Sequence, residues 1–314
     1  MNVYSSLPKP FFALAPLDDV SDVVFRKIIA ECAPPDLFFT EFVNVDGLQS
    51  PGRDKLMHRL RITYTDKPII AQIWGKHPEN YFKTASELVD MGFAGIDINM
   101  GCPDKAVVKN GCCIALINNR PLAKDIIDAT KAGSAGKLPV SVKTRLGFNE
   151  IDYTWHKFLL EQKLDSFTIH GRTKKQMSLV PADWEAIGHI SQLRDEISPN
   201  TTLIGNGDVM NRREGIELAS KYNVDGVMVG RGIFSDPYVF SENSDWINAT
   251  PADKIALYAK HIQLFADTWH NKERNINTLK KFGKVYINNY DGAKELREKL
   301  MRTNSIDELL TLLH

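Results

Sequence analysis

Long apolar runs are missing from this sequence: no stretch approaches the roughly 18 uncharged apolar residues that a membrane-spanning helix needs. With 43% hydrophobic and 25% charged residues, the composition is that of an ordinary soluble chain. The first residues, Met1-Asn2-Val3-Tyr4-Ser5, lack a basic segment followed by an apolar one, so no secretory signal is expected and a cytoplasmic location is the default. Net charge is missing too, because 39 Lys and Arg balance 39 Asp and Glu; any nucleic-acid surface must therefore be local. Cysteine is scarce. The four present, Cys32, Cys102, Cys112 and Cys113, show no paired CxxC spacing, which speaks against a structural zinc site and, in a reducing compartment, against a disulfide frame. No metal is expected. A Gly-x-Gly-x-x-Gly turn after an early strand is also absent, which counts against a doubly wound open sheet.

What is present is alternation. Short β-branched or apolar runs recur, each followed by a polar or Gly/Pro turn and a stretch of helical periodicity. Eight such strands are read at Phe11–Leu14, Leu37–Thr40, Ile69–Ile73, Gly95–Asn99, Val140–Lys143, Ser166–His170, Leu203–Gly205 and Gly226–Val229. Helix starts are signalled by Ser21, by Pro78, by Asn211 with Glu214, and by Asp236-Pro237. Eight βα units close into an α/β (β/α)₈ TIM barrel of about 250 residues. From about Asn243 the strand-like runs stop. Thr250-Pro251-Ala252-Asp253 and Ser305-Ile306-Asp307-Glu308 then fit helix starts, so a small all-helical C-terminal domain is expected, with boundaries at 1–242 and 243–314.

In such barrels the carboxyl ends of the strands build the active site, and here that set is polar. It reads Ala15-Pro16, Thr40-Glu41, Gln72, Asn99 with Cys102, Lys143 with Arg145, His170 with Arg172, Asn206 with Asp208, and Gly230 with Arg231. Singly, each has an unremarkable reading as a solvated or loop-bonded side chain. Jointly, an amide, two cations, an imidazole and a thiol on one rim suit a large polar cofactor. The glycines of Asn206-Gly207-Asp208 and Gly230-Arg231-Gly232 let backbone amides approach a phosphate, as the last two strand ends of many barrels do.

These residues resemble the tRNA-dihydrouridine synthase family, through Leu14-Ala15-Pro16-Leu17, Asn99-Met100-Gly101-Cys102-Pro103, Val142-Lys143-Thr144-Arg145-Leu146-Gly147 and His170-Gly171-Arg172-Thr173. Asn206-Gly207-Asp208, Gly230-Arg231-Gly232 and the tail segment Gly292-Ala293-Lys294-Glu295-Leu296-Arg297 extend the likeness over nearly the whole chain. The resemblance implies an FMN-containing barrel that reduces the C5–C6 bond of particular uridines in tRNA, with NADPH, or NADH in its place, recharging the flavin. It implies that Ala15, Pro16 and Leu17 line the flavin ring, that Gln72 and Lys143 bond its polar edge, and that His170 sits nearby. Asn206, Gly207, Asp208, Gly230 and Arg231 would surround the ribityl phosphate, and Cys102 would be the general acid.

The chemistry supports that last role. Hydride delivery to uracil C6 leaves negative charge at C5 and O4, and a thiol of ordinary pKa near 8.5 is mostly protonated at pH 7 and can supply the proton. Cys112 and Cys113 are expected to pack as inert small residues. A neutral protein can still hold RNA through local basic clusters: Asn99, Lys105, Arg145, Arg172, Lys174 and Lys175 at the rim, and Lys280, Lys281 and Lys284 in the tail, are the candidates for tRNA. A monomer is expected. The competing readings are a small-molecule FMN-barrel oxidoreductase of the dihydroorotate dehydrogenase type, an aldolase using Lys143 as a Schiff base, and an RNA-binding protein with an inactive barrel.

Overall fold

The computed structural model describes residues 2–269, 273–288 and 290–313. Its centre is a parallel sheet of β1 (Phe11–Leu14), β2 (Phe38–Phe39), β3 (Val43–Asn44), β4 (Ile69–Trp74), β5 (Gly95–Met100), β6 (Val140–Arg145), β7 (Ser166–His170), β8 (Thr202–Asn206) and β9 (Gly226–Val229). The spatial order is β1-β9-β8-β7-β6-β5-β4-β2, with β3 also pairing with β4. β2 and β3 are thus two parts of one stave, interrupted at residues 40–42. A parallel bridge between Ala13 and Leu37 closes the ring, as Leu14 N donates to Leu37 O and Leu37 N to Phe12 O. The result is a (β/α)₈ barrel.

Period-two alternation sorts each strand into an inner and an outer face. Phe12, Leu14, Ile69, Ala71, Ile96, Ile98, Val140, Val142, Phe167 and Val227 join the core that packs under the helices. Phe11, Ala13, Leu37, Phe39, Ile70, Ile204 and Met228 form a separate apolar cluster inside the barrel, and Tyr4 of the short helix Val3–Ser6 joins it. By the same alternation Gln72, Asp97, Asn99, Ser141, Lys143, Ser166, Thr168 and Asn206 belong to the interior as well.

The helix starts follow the sequence signals with two corrections. Helix Pro78–Asp90 has Pro78 in its first turn, and Asn211 caps Arg212–Tyr222 by accepting from Glu214 N. The cap of helix Val23–Cys32 is Asp22, accepting from Phe25 N, because the Ser21 hydroxyl is already used by Leu17 N at 2.8 Å. Asp236-Pro237 opens a turn rather than a helix: Asp236 Oδ1 accepts from Tyr238 N, an Asx turn that competes with helical pairing.

Beyond residue 250 the described residues hold helices and no strand. The helix start expected at Thr250 is present on Pro251–Thr268, where Thr250 and Asp253 form a capping box. That helix packs on Val23–Cys32, where Phe25 stacks on Phe282 with ring centroids 5.0 Å apart. A buried ion cluster fastens the same joint: Arg274 Nη1 and Nη2 reach Glu41 Oε2 and Oε1 at 2.7 and 3.1 Å, and Nε lies 3.3 Å from Asp22. No helix among the described residues is long and apolar enough to cross a membrane.

Candidate active site

A cavity of about 550 Å³ opens at the carboxyl ends of the strands. Every residue expected at a cofactor lines it: Ala15, Pro16 and Leu17 after β1, Gln72 on β4, Lys143 on β6, His170 on β7, Asn206, Gly207 and Asp208 at the end of β8 and after it, Gly230 and Arg231 after β9. Asn99, Cys102, Arg145 and Arg172 line it too. Gly207 has φ +140°, and a Cβ there would meet the Ala182 Cβ at 2.5 Å, so only glycine fits this turn.

The Cys102 turn is held from below. Asn99 Oδ1 accepts from both Gly101 N and Cys102 N, at 3.0 and 2.9 Å. Asn99 Nδ2 donates to Gln72 Oε1 at 3.0 Å, and Gln72 Nε2 donates to the buried Asp97 at 2.7 Å. From the side, Arg145 Nε donates to Gly101 O at 2.9 Å while its Nη1 binds Met177 O at 2.8 Å, tying the turn to the loop after β7.

Beside the turn, from β6 round to the end of β9, lies a cluster of cations. Lys143 Nζ donates to Asn206 Oδ1 at 3.0 Å, and Asn206 in turn donates to Met228 O. Burial, helped by the nearby Arg145 charge, pulls the Lys143 ammonium down to about 8. Burial and the surrounding Lys143, Arg145, Arg172 and Arg231 charges lower the His170 pKa so far that its imidazole is neutral. Arg172 Nη1 is 3.1 Å from His170 Nε2, so Nε2 accepts and the ring proton resides on Nδ1. Asp208, at φ +55°, bonds to Arg172 and, at 2.8 Å, to Arg231. Its carboxylate therefore holds two guanidiniums at the rim rather than facing an anion itself.

Cys102 is half-buried, and its thiol is less ordinary than the sequence alone suggests. A hydrogen bond from the Cys113 thiol, set against the opposing effect of burial, brings it down to about 7. Cys113 lies at φ +53° at the start of a short 3-10 helix, Cys113–Asn118, and is 1% exposed. Burial pushes the Cys113 thiol well above its ordinary range, so it stays protonated beside Cys102. The sequence signal is faint: a cysteine eleven residues beyond Cys102 gives no hint that the loop folds back.

The basic residues separate into two groups. Arg145 and Arg172 are buried at the cavity wall, with their guanidiniums committed to carbonyls and to Asp208. Lys280 Nζ caps the end of helix Ala293–Arg302 through Thr303 O at 2.5 Å and Met301 O at 3.3 Å, and Lys281 approaches Asp19 at 3.5 Å. Arg145, Arg172 and Lys280 are fixed structural cations, whereas Lys281 is exposed. Lys105, Lys109, Lys175 and Lys284 are exposed, and Lys174 lies over the Phe148 ring. In the tail, Lys280, Lys281, Lys284, Lys294, Arg297 and Arg302 line a groove of about 670 Å³. Asp18, Asp19 and Glu41 gather closely enough to suggest a cation, but Arg59 and Arg274 already reach them.

The family model described as "Dihydrouridine synthase (Dus)" matches residues 13–314. A "Probable tRNA-dihydrouridine synthase" of Staphylococcus aureus (strain COL) is 46% identical over 315 aligned residues, 99% of this chain and 94% of the relative. A "Probable tRNA-dihydrouridine synthase 2" of Bacillus subtilis (strain 168) is 42% identical, covering 99% of this chain and 95% of the relative. Among solved structures, a 2-naphthoyl-CoA reductase shares the barrel with a TM-score of 0.57 at 11% identity, over 73% of this chain and 49% of that one.

Proposed function

The chain belongs to the dihydrouridine synthase family, and on that premise we propose that it reduces the C5–C6 bond of specific uridines in tRNA, with Cys102 as the proton donor. The observation that carries this reading is that Cys102 shares one cavity with Lys143, His170, Asn206 and Arg231. The donor set fits FMN: Lys143 Nζ and the Gln72 amide suit the carbonyl-bearing edge of a flavin ring, while Arg231 and the glycine turns after β8 and β9 suit a phosphate. Ala15, Pro16, Leu17, Gly207, Asp208 and Gly230 complete that lining. When bound, reduced FMN supplies the hydride that goes to uracil C6.

The chain's own residues do the rest. As charge builds at C5 and O4, the Cys102 Sγ–H gives its proton to C5. A pKa of about 7 keeps roughly half the thiol protonated at neutral pH and places the acid near the optimum for proton transfer. The neutral His170 adds no charge to the cation cluster, and its Nδ1–H is the ring's one donor. Reaching the base requires the uridine to leave its stack. Residues 1–242 serve as the catalytic barrel, and 243–314 hold the tRNA. Lys105, Lys174 and Lys175 at the rim and Lys284, Lys294 and Arg302 in the tail groove, all outside the barrel interior, are the phosphate contacts; Lys280 and Lys281 shape the groove. NADPH, with NADH as the alternative, is the reductant, and the enzyme works as a cytoplasmic monomer.

The test is to incubate the purified protein with FMN, NADPH and unmodified tRNA and to map dihydrouridine by mass spectrometry. Dihydrouridine at defined positions is expected. NADPH oxidation with no dihydrouridine in any tRNA would instead indicate a small-molecule reductase.

A further inference from the structure

The polar line beneath the cavity has a direction. Tyr4 OH donates to Ser141 Oγ at 2.9 Å, and Ser141 donates to Asp97 Oδ1 at 2.6 Å. Asp97 Oδ2 accepts from Gln72 Nε2, Gln72 Oε1 accepts from Asn99 Nδ2, and Asn99 Oδ1 accepts from Gly101 N and Cys102 N. An ionised carboxylate can only accept, so the –NH₂ of Gln72 must face it, and the Gln72 oxygen must face Asn99. The Asn99 –NH₂ is thereby used, and its oxygen is left for the turn. Were either amide flipped, the Gly101 and Cys102 N–H groups would confront an –NH₂ instead of an acceptor. One acid thus decides the orientation of two side chains whose ends are otherwise alike in shape.

Asp97 is fully buried and does not line the cavity, so it touches neither substrate nor cofactor. We propose that Asp97 is a positioning residue of this site, fixing through Gln72 and Asn99 the posture of the Gly101-Cys102 turn and hence of the Cys102 thiol. It also sets which atoms of Gln72 are left free for a ligand. Burial pushes its carboxyl up to about 6, against hydrogen bonds from Ser141 and Gln72 and the charge of Lys143 on the neighbouring strand, so at pH 7 it is mostly ionised. The significance for turnover rests on the proposed role of Cys102, but the posture itself is measurable without turnover, so the two ideas fail separately.

The experiment follows iodoacetamide labelling of Cys102 in the full-length protein at pH 7, quantified on its own peptide. Asp97→Leu removes the acceptor and is expected to change the labelling rate by roughly fivefold or more, the scale of one lost buried hydrogen bond. Asn99→Ala should produce a change of similar size, and the double variant Asp97→Leu/Asn99→Ala no more than Asn99→Ala alone, since both act through one line. Asp97→Asn should stay within about twofold of the native rate, because its Oδ1 can still accept from Gln72 while its Nδ2 donates to Ser141 Oγ. An unchanged rate in Asp97→Leu, or effects that multiply in the double variant, would overturn the proposal. If Asp97→Leu does not fold, the smaller Asp97→Ala takes its place under the same two outcomes: a change of about fivefold upholds the line, and an unchanged rate overturns it.

Discussion

The two sides of the barrel interior are built from the same strand geometry and do opposite work. On one side Phe11, Ala13, Leu37, Phe39, Ile70 and Met228 fill the space with apolar volume. On the other, β5 to β7 turn Asp97, Asn99, Ser141, Lys143, Thr168 and His170 inward. Burying polar groups costs free energy unless each finds a partner, and on the polar side most members satisfy one another or face the cavity, Thr168 being an exception. On the proposed function, stability comes from the apolar side and chemistry from the polar one. The Cys102 turn stands on the polar side, held by Asn99.

That division can be broken on purpose. The largest effect on folding is expected from Phe39→Ala, which removes a fully buried ring and should lower unfolding free energy by about 3–5 kcal/mol in denaturant titrations. The per-molecule rate of the protein that stays folded should change little; a selective loss of turnover with full stability would contradict the division. The smallest effect is expected from Thr168→Val. Thr168 Oγ1 is buried with no hydrogen-bond partner among the described residues, so replacing it by a methyl group should raise stability by up to about 1 kcal/mol. A loss of about 2 kcal/mol or more would mean that the hydroxyl has a partner and that the polar side is more tightly knit than it looks.

Much of the barrel and of its cavity lining is legible in the sequence. Strand ends are readable because Phe11–Leu14, Ser166–His170 and Gly226–Val229 are bounded by turn residues and carry the right period, and the observed strands coincide with them. The rule that a parallel barrel keeps its active site at the carboxyl ends of its strands then gives the lining. Side-chain commitments are not legible. Arg145, Arg172 and Lys280 look like free cations in a sequence, yet each is spent on carbonyl oxygens brought close only by the fold. Asp97 escapes a reading of strand ends, although Gly95-Ile96-Asp97-Ile98-Asn99 places it on the same strand face as Asn99, and an acid inside a buried strand is a warning that something pairs with it. The nearness of Cys113 to Cys102 is not legible either, because local sequence carries no trace of a contact made by a returning loop.

Most directly at stake is whether the proton comes from Cys102. Single-turnover reduction of tRNA uridine by Cys102→Ala protein loaded with reduced flavin isolates that step. The account predicts a rate lower by about 10²–10⁴, the usual contribution of a positioned acid, with flavin binding retained. Dihydrouridine formed by Cys102→Ala at the native rate would contradict it.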